Sequence, residues 1–232
     1  MHKAETPLRQ RSIACFGILI CSGLLILAVP RFIASIYALY PEAVYNDTQN
    51  TLTPAIYEKS LNDLEQALAW HKEPAYLKKQ SYFYLKLIEL ESFEDETKKQ
   101  TRLKQAQTAL INSLTLSPID PDAWLQLAEI DGLLNTPKPK IIEALRLSFY
   151  AGRVEPELVI PRLKLTYQYF QDLPEDMQSL WQKQLLIAWT FKAPQLLEFI
   201  ARNPEAKPIA LAAFANTPDE AAKFLSQLTT KK

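Results

Sequence analysis

The stretch Ala106-Gln-Thr-Ala-Leu-Ile-Asn-Ser-Leu-Thr-Leu-Ser-Pro118-Ile-Asp-Pro-Asp-Ala-Trp124-Leu-Gln-Leu-Ala128 reads as two helices joined by a turn. Leu103, Ala106, Leu110 and Leu114 recur at the spacing of one helical face. Pro118 opens a short acidic turn. Asp120-Pro121 then supplies an N-cap followed by a proline at the first helical position, where the missing N–H costs nothing and φ is already set. Trp124, Leu127 and Ala128 begin the second helix. Small residues let two helices approach, and the large aromatic fills the space beside them.

The same punctuation recurs along the chain. Thr53-Pro54 and Thr217-Pro218 repeat the cap-and-proline pattern, and Glu73-Pro74, Glu155-Pro156, Leu173-Pro174 and Ala193-Pro194 mark further starts with weaker caps. Ile56, Leu61, Leu64 and Leu68 form one apolar stripe, and Tyr84, Leu87 and Ile88 another. Strand signals are scarce: no Asn-Gly or Asp-Gly turn occurs. The expectation is an all-α domain of about eight to ten helices joined by short loops.

The 106–128 segment is similar to the junction of two tetratricopeptide repeats. Within that pattern Ala106, Leu110 and Ser113 match the close-packing positions of a second helix. Pro118 matches the turn, and Trp124, Leu127 and Ala128 match the first helix of the next repeat. Two weaker echoes exist: Ala67, Leu68, Pro74 and Ala75-Tyr76 repeat the order of residues, and Ala144-Leu145 resembles a shortened second helix. Their spacings, 46 residues from Ala67 to Ser113 and 31 from Ser113 to Ala144, depart from a period of about 34. The resemblance implies a degenerate array of two or three units over residues 54–150, extended by non-repeat helices over 151–232.

Upstream lies an uncharged apolar run over residues 12–29, about long enough for a helix to cross roughly 30 Å of hydrocarbon. Lys3, Arg9 and Arg11 precede it, offset by Glu5; Arg31, Glu42 and Asp47 follow. The bias of basic residues places the N-terminus in the cytoplasm and the bulk of the chain outside the inner membrane. Tyr37 and Tyr40 suit the outer interface, and Pro30 stands where the helix would leave the lipid. A cleaved signal would carry a shorter apolar core and a small-x-small site, which Ile33-Ala34-Ser35 matches poorly. Cys21 follows Ile20 where lipoprotein processing wants a small residue. The expected layout is a tail over 1–11, a span with interfacial extension over 12–40, and a linker over 41–53. Gly17, Cys21 and Ser22 are small residues near helical spacing in the span, a short and imperfect basis for helix pairing.

The first 40 residues hold four basic residues and one acidic one, leaving 22 basic and 25 acidic in the remainder. A slightly acidic domain is a poor partner for nucleic acid. Both cysteines, Cys15 and Cys21, lie in the apolar run, so the outer domain has no disulfide framework and no thiolate metal site.

Signals of chemistry are weak. His2 and His71 stand apart, without the clustered ligands a metal needs. None of the four glycines forms a phosphate loop. Glu89, Glu91, Glu94, Asp95 and Glu96, followed by Lys98, Lys99, Arg102 and Lys104, lack the pattern of a calcium loop and read as a helix start, with Glu94–Lys98 at i,i+4. Asp120 and Asp122 could be an acid–base pair on a sugar bond, but a cap and a dipole partner explain them more simply. Tyr82, Phe83 and Tyr84, and Tyr167, Tyr169 and Phe170, serve core packing by default; Tyr82, Tyr84, Tyr167 and Tyr169 are the candidates for a partner surface.

The layout also resembles bacterial single-pass membrane-anchored TPR-like proteins associated with cell-surface polysaccharide biosynthesis. The carrying residues are Ala144-Leu-Arg-Leu-Ser-Phe-Tyr-Ala-Gly152, then Glu155-Pro156, then a long helix with Trp181, within roughly 104–205. The resemblance implies an accessory role beside exopolysaccharide or O-antigen machinery, with no catalytic residue, metal or cofactor to carry over. Two classes are therefore expected: a tethered adaptor that binds protein partners, not an enzyme, and, as its alternative, a glycan-binding or glycan-processing protein or general envelope-assembly factor.

Overall fold

The structure is a computed structural model that describes residues 7–47, 53–90 and 96–230. Among these residues it is all-helical, with α1 (Pro7–Asn46), α2 (Pro54–Trp70), α3 (Pro74–Leu90), α4 (Glu96–Leu116), α5 (Pro121–Leu133), α6 (Lys138–Ala151), α7 (Pro156–Gln168), α8 (Glu175–Phe191), α9 (Ala193–Arg202), α10 (Ala206–Ala213) and α11 (Pro218–Thr230). A short 3-10 turn, Phe170–Asp172, follows α7. Prolines start the helices much as the sequence indicates: Pro54, Pro74, Pro121, Pro156 and Pro218 are first residues. Pro194 stands second in α9, and Pro174 sits one residue before α8. His2, Lys3, Glu5, Glu91, Glu94 and Asp95, and with them the Glu94–Lys98 pair, fall outside the described residues.

The chain forms two compact units, Met1–Arg102 and Leu103–Lys232, with the division inside α4. α6 and α8 share a core of Ile142, Leu145, Phe149, Leu173 and Met177, so the segment after 151 packs as a direct continuation of what precedes it.

In the first unit, α1 is a continuous helix across Pro30 and Pro41. The linker expected to begin at residue 41 is therefore helical as far as Asn46; residues 48–52 lie outside the described ones. The reason is packing. Ala34 and Ala38 are buried against Ala67 of α2, and Val44 joins Tyr57, Leu61, Leu64, Phe83 and Leu87 in a core shared by α1, α2 and α3. That burial holds the helix past two prolines that would each remove a backbone hydrogen bond. Towards the N-terminus the side chains of α1 are exposed, including Phe16, Leu19, Leu24 and Leu27. This helix is long and apolar enough to cross a membrane.

In the second unit, α5 pairs with α6 and α7 with α8, and α7 also meets α5 and α9. Asp120 caps α5 by accepting from the N–H groups of Asp122 and Ala123, both at 3.1 Å. The helix ends in a Schellman motif: Thr136 N–H donates to the Asp131 carbonyl at 2.9 Å and Asn135 N–H to Gly132 at 3.1 Å, with Asn135 left-handed at φ 54°. Further along, Trp181 is buried, donates from Nε1 to the Leu163 carbonyl at 3.0 Å, and stacks on Tyr167.

Candidate functional site

The repeat-like residues are placed as packing residues. Ala106, Leu110, Ser113, Leu127 and Ala128 are buried. Pro118 lies in the α4–α5 turn, and its carbonyl accepts from Nε1 of Trp124 at 2.8 Å. The indole thus reaches back across the turn and fixes the angle at which α5 enters.

The four tyrosines are half-buried. Tyr82 meets Tyr45 edge-on at 4.8 Å and Phe83 at 5.5 Å. Tyr167 is stacked on Trp181 at 5.9 Å and meets Phe199 edge-on at 5.7 Å. Burial pushes the hydroxyl pKa of Tyr84, Tyr167 and Tyr169 upward. All three stay neutral phenols at physiological pH. They form part of the packing, and Tyr167 also borders a cleft.

That cleft is one of two that meet on α7. The first, about 340 Å³, runs between α7 and α9 and is bordered by Tyr167, Gln195, Glu198, Phe199, Arg202 and Asn203. The second, about 380 Å³, runs between α5 and α7, where Asp122, Gln126 and Glu129 face Leu158, Pro161 and Leu165. Ile160, Lys164 and Gln168 border both. The two clefts thus adjoin across the row Ile160, Lys164 and Gln168 and give α5, α7 and α9 a grooved face with apolar residues and an amide- and charge-bearing rim. Lys164 and Gln168 are exposed, and among the described residues no hydrogen bond or ion pair engages them. Elsewhere the rim is partly self-satisfied: Gln126 donates to Asp122 at 2.9 Å, and Arg202 pairs with Glu198 at 2.5 Å.

A third opening, about 450 Å³, lies between α6 and α8 and is bordered by Phe149, Tyr150, Val154, Leu180 and Ile187. Gln184 stands in its wall. Its Nε2 donates to the Arg153 carbonyl at 2.8 Å, while its buried Oε1 has no hydrogen-bond partner among the described residues.

The residues weighed for chemistry are occupied otherwise. The Asp120 carboxylate is spent on the cap, and Asp122 accepts from Gln126. His71 accepts from Arg31 Nε at 3.4 Å and lies 3.7 Å from Glu73. Among the described residues no group of three or more His, Cys, Asp or Glu side chains could hold a metal ion. Glu96 opens α4 and accepts from Gln100 at 3.0 Å.

The residue that sequence reasoning missed is Arg162. It is fully buried on α7, between α6 and the start of α5. Nε donates to Ser148 Oγ at 2.9 Å, Nη2 to the Ser148 carbonyl at 2.7 Å and Nη1 to the Gly152 carbonyl at 2.7 Å. Burial lowers its pKa to about 10, opposed by the charges of Glu155 and Asp122, so it stays protonated at neutral pH. It places a cation on the C-terminal carbonyls of α6, where the helix dipole is negative. A signal existed: Val159, Arg162, Leu163 and Thr166 share one helical stripe, which puts an arginine among core positions. Its role is to hold α5, α6 and α7 together beneath the groove. No family model and no curated protein matches the chain.

Proposed function

We propose that this protein is a membrane-anchored adaptor that binds a peptide segment of a protein partner along the groove of α5, α7 and α9. The carrying observation is that two clefts adjoin and share Ile160, Lys164 and Gln168 of one helix. Hairpins whose alternate helices line a shared face are the geometry of a TPR-like array, and such faces bind extended or helical peptides. Exposed glutamine amides suit backbone N–H and C=O groups of a peptide, and Lys164 suits an acidic residue or terminal carboxylate. Tyr167 is already stacked on Trp181, which weighs against a sugar-stacking platform.

The apolar half of α1 supports single-pass anchoring, and Arg9 and Arg11 support an N-terminus in the cytoplasm with the chain from α2 onward outside it. Anchoring raises the effective concentration of the groove for membrane-bound partners. By resemblance, those partners belong to cell-surface polysaccharide synthesis or export.

The test is in-cell photocrosslinking from a reactive residue placed at Gln168 of the full-length protein, with capture identified by mass spectrometry. A specific protein captured from position 168, and lost when Lys164→Glu is added, supports the reading. The same capture from Glu143, outside the groove, or survival of capture in the Lys164→Glu variant, overturns it.

A further inference from the structure

The contact between Arg31 and His71 fixes the height of the α2–α3 turn on α1. Arg31 stands two residues beyond Val29, about 3 Å along the helix axis from the end of the uncharged run. One turn further on, Ala34 and Ala38 are buried against Ala67 of α2. α2 therefore comes down alongside α1 and ends beside Arg31, with Trp70 as its last residue.

Three features give that turn the chemistry of a lipid–water boundary. Trp70 is 48% exposed although it is large and apolar. Indole rings concentrate at headgroup depth, where an apolar ring and a polar N–H are both accommodated. Next to it stand Lys72, which is exposed, and Glu73, with Arg31 on the neighbouring helix. These charges resist entry into hydrocarbon and set a limit on depth. On α1 itself, exposed apolar side chains continue above Arg31 as Phe32 at 66%, Ile36 at 50% and Leu39 at 67%. Exposed apolar side chains recur from Ile13 to Leu39, 27 residues or about 40 Å of helix, which matches hydrocarbon plus interfacial layers rather than hydrocarbon alone.

We infer that the α2–α3 turn docks into the headgroup layer, with Trp70 seated at the interface and Arg31 and Lys72 facing lipid phosphates. The first unit is then seated in the membrane surface by two contacts, the span and the turn, and does not swing on a flexible tether. This rests on the anchoring reading of α1, and the experiment separates the two.

Full-length protein is reconstituted into vesicles of phosphatidylcholine and phosphatidylglycerol at 3:1, with or without brominated acyl chains. Bromolipid quenching of tryptophan fluorescence is compared between wild type and Trp70→Phe, whose folding is checked by circular dichroism. In parallel, Cys15 and Cys21 are challenged with a membrane-impermeant maleimide. The expected result is quenching that falls by more than half in Trp70→Phe, with both cysteines protected until detergent is added. Protected cysteines with identical quenching in the two proteins would overturn the docking of the turn while leaving the anchor intact. Cysteines that react in intact vesicles would overturn the anchor and the docking with it.

Discussion

Arg162 holds Ser148 twice, donating from Nε to the hydroxyl at 2.9 Å and from Nη2 to the main-chain carbonyl at 2.7 Å. Ser148 Oγ in turn donates to the Pro121 carbonyl at 2.7 Å. One buried guanidinium thereby ties α7 to the end of α6 and, through a hydroxyl, to the start of α5. α5 and α7, two of the three helices that border the groove, are thereby fixed through α6 by a polar network as well as by apolar contact.

Removing the guanidinium should cost more than an ordinary core truncation. Arg162→Ala leaves the Ser148 and Gly152 carbonyls without these donors, at about 1–3 kcal/mol for each orphaned group, and a cavity adds to that. Arg162→Lys keeps the charge but not the three-way fork, so its loss should be smaller and still measurable. Thermal unfolding of the full chain in micelles, followed by circular dichroism, checks the order wild type, lysine, alanine. Burial depresses the folded-state pKa to about 10, below its unfolded value. The cost of burying the charge is therefore constant through pH 5–9 and is relieved only as pH rises above about 10. A wild-type-minus-variant difference that changes between pH 5 and 9 would contradict this assignment.

Gly152 and Gly132 should respond differently to alanine. A Cβ on Gly152 would lie 2.9 Å from Pro121 Cγ, a ring that cannot rotate away, and 3.0 Å from Glu155 Cγ. Overpacking of this kind costs about 1–3 kcal/mol. A Cβ on Gly132 would meet only the Tyr169 hydroxyl, at 2.8 Å, the far end of a side chain. The expected outcome is a larger fall in melting temperature for Gly152→Ala than for Gly132→Ala.

Asn135 occupies the left-handed position after α5. Asn135→Gly should be neutral or slightly stabilising, whereas Asn135→Val should cost about 1–2 kcal/mol because a Cβ with two branches crowds the carbonyl there. Denaturant midpoints of the two variants decide it.

Glu42 and Lys79 join α1 to α3 by an ion pair. The hydrogen bond from Lys79 is the main cause that holds the Glu42 pKa below its ordinary value. The stability this contributes is present above the unfolded glutamate value, roughly 4.3, and is lost as pH falls through the lowered folded value. Glu42→Gln should therefore lower the stability of the first unit at pH 7 and change it little at pH 3, which removes part of its acid sensitivity, read from unfolding curves at pH 3 and pH 7.

Truncation tests the double use of α1. A chain beginning at Arg31 keeps Ala34, Ala38 and Val44 and should retain the packing of α2 on α1. One beginning at Pro41 loses Ala34 and Ala38 and uncovers Ala67. The second should show weaker hydrogen-exchange protection in α2 than the first.

Much of the fold was legible because its signals are local. Prolines mark helix starts, since φ and the missing N–H act within one turn; Asp120 caps α5 as its sequence position suggests, whereas Thr53 makes no side-chain capping hydrogen bond. The uncharged run over residues 12–29 announces a helix able to span a membrane by composition alone. Ala106, Leu110, Leu127 and Ala128 were readable as buried positions because apolar residues recur on one face of a helix. What the sequence could not determine depends on partners distant in the chain. α1 continues past Pro30 and Pro41 because Ala67, Leu64 and Phe83 cover its far half. The chain packs continuously across residue 151, because Phe149 and Met177, 28 positions apart, share a core. Arg162 is a buried tie and not a surface cation, because the carbonyls that receive it belong to another helix. Likewise the groove exists only because Ile160, Lys164 and Gln168 fall between α5 and α9, a juxtaposition that helical periodicity permits and only the packing of whole helices selects.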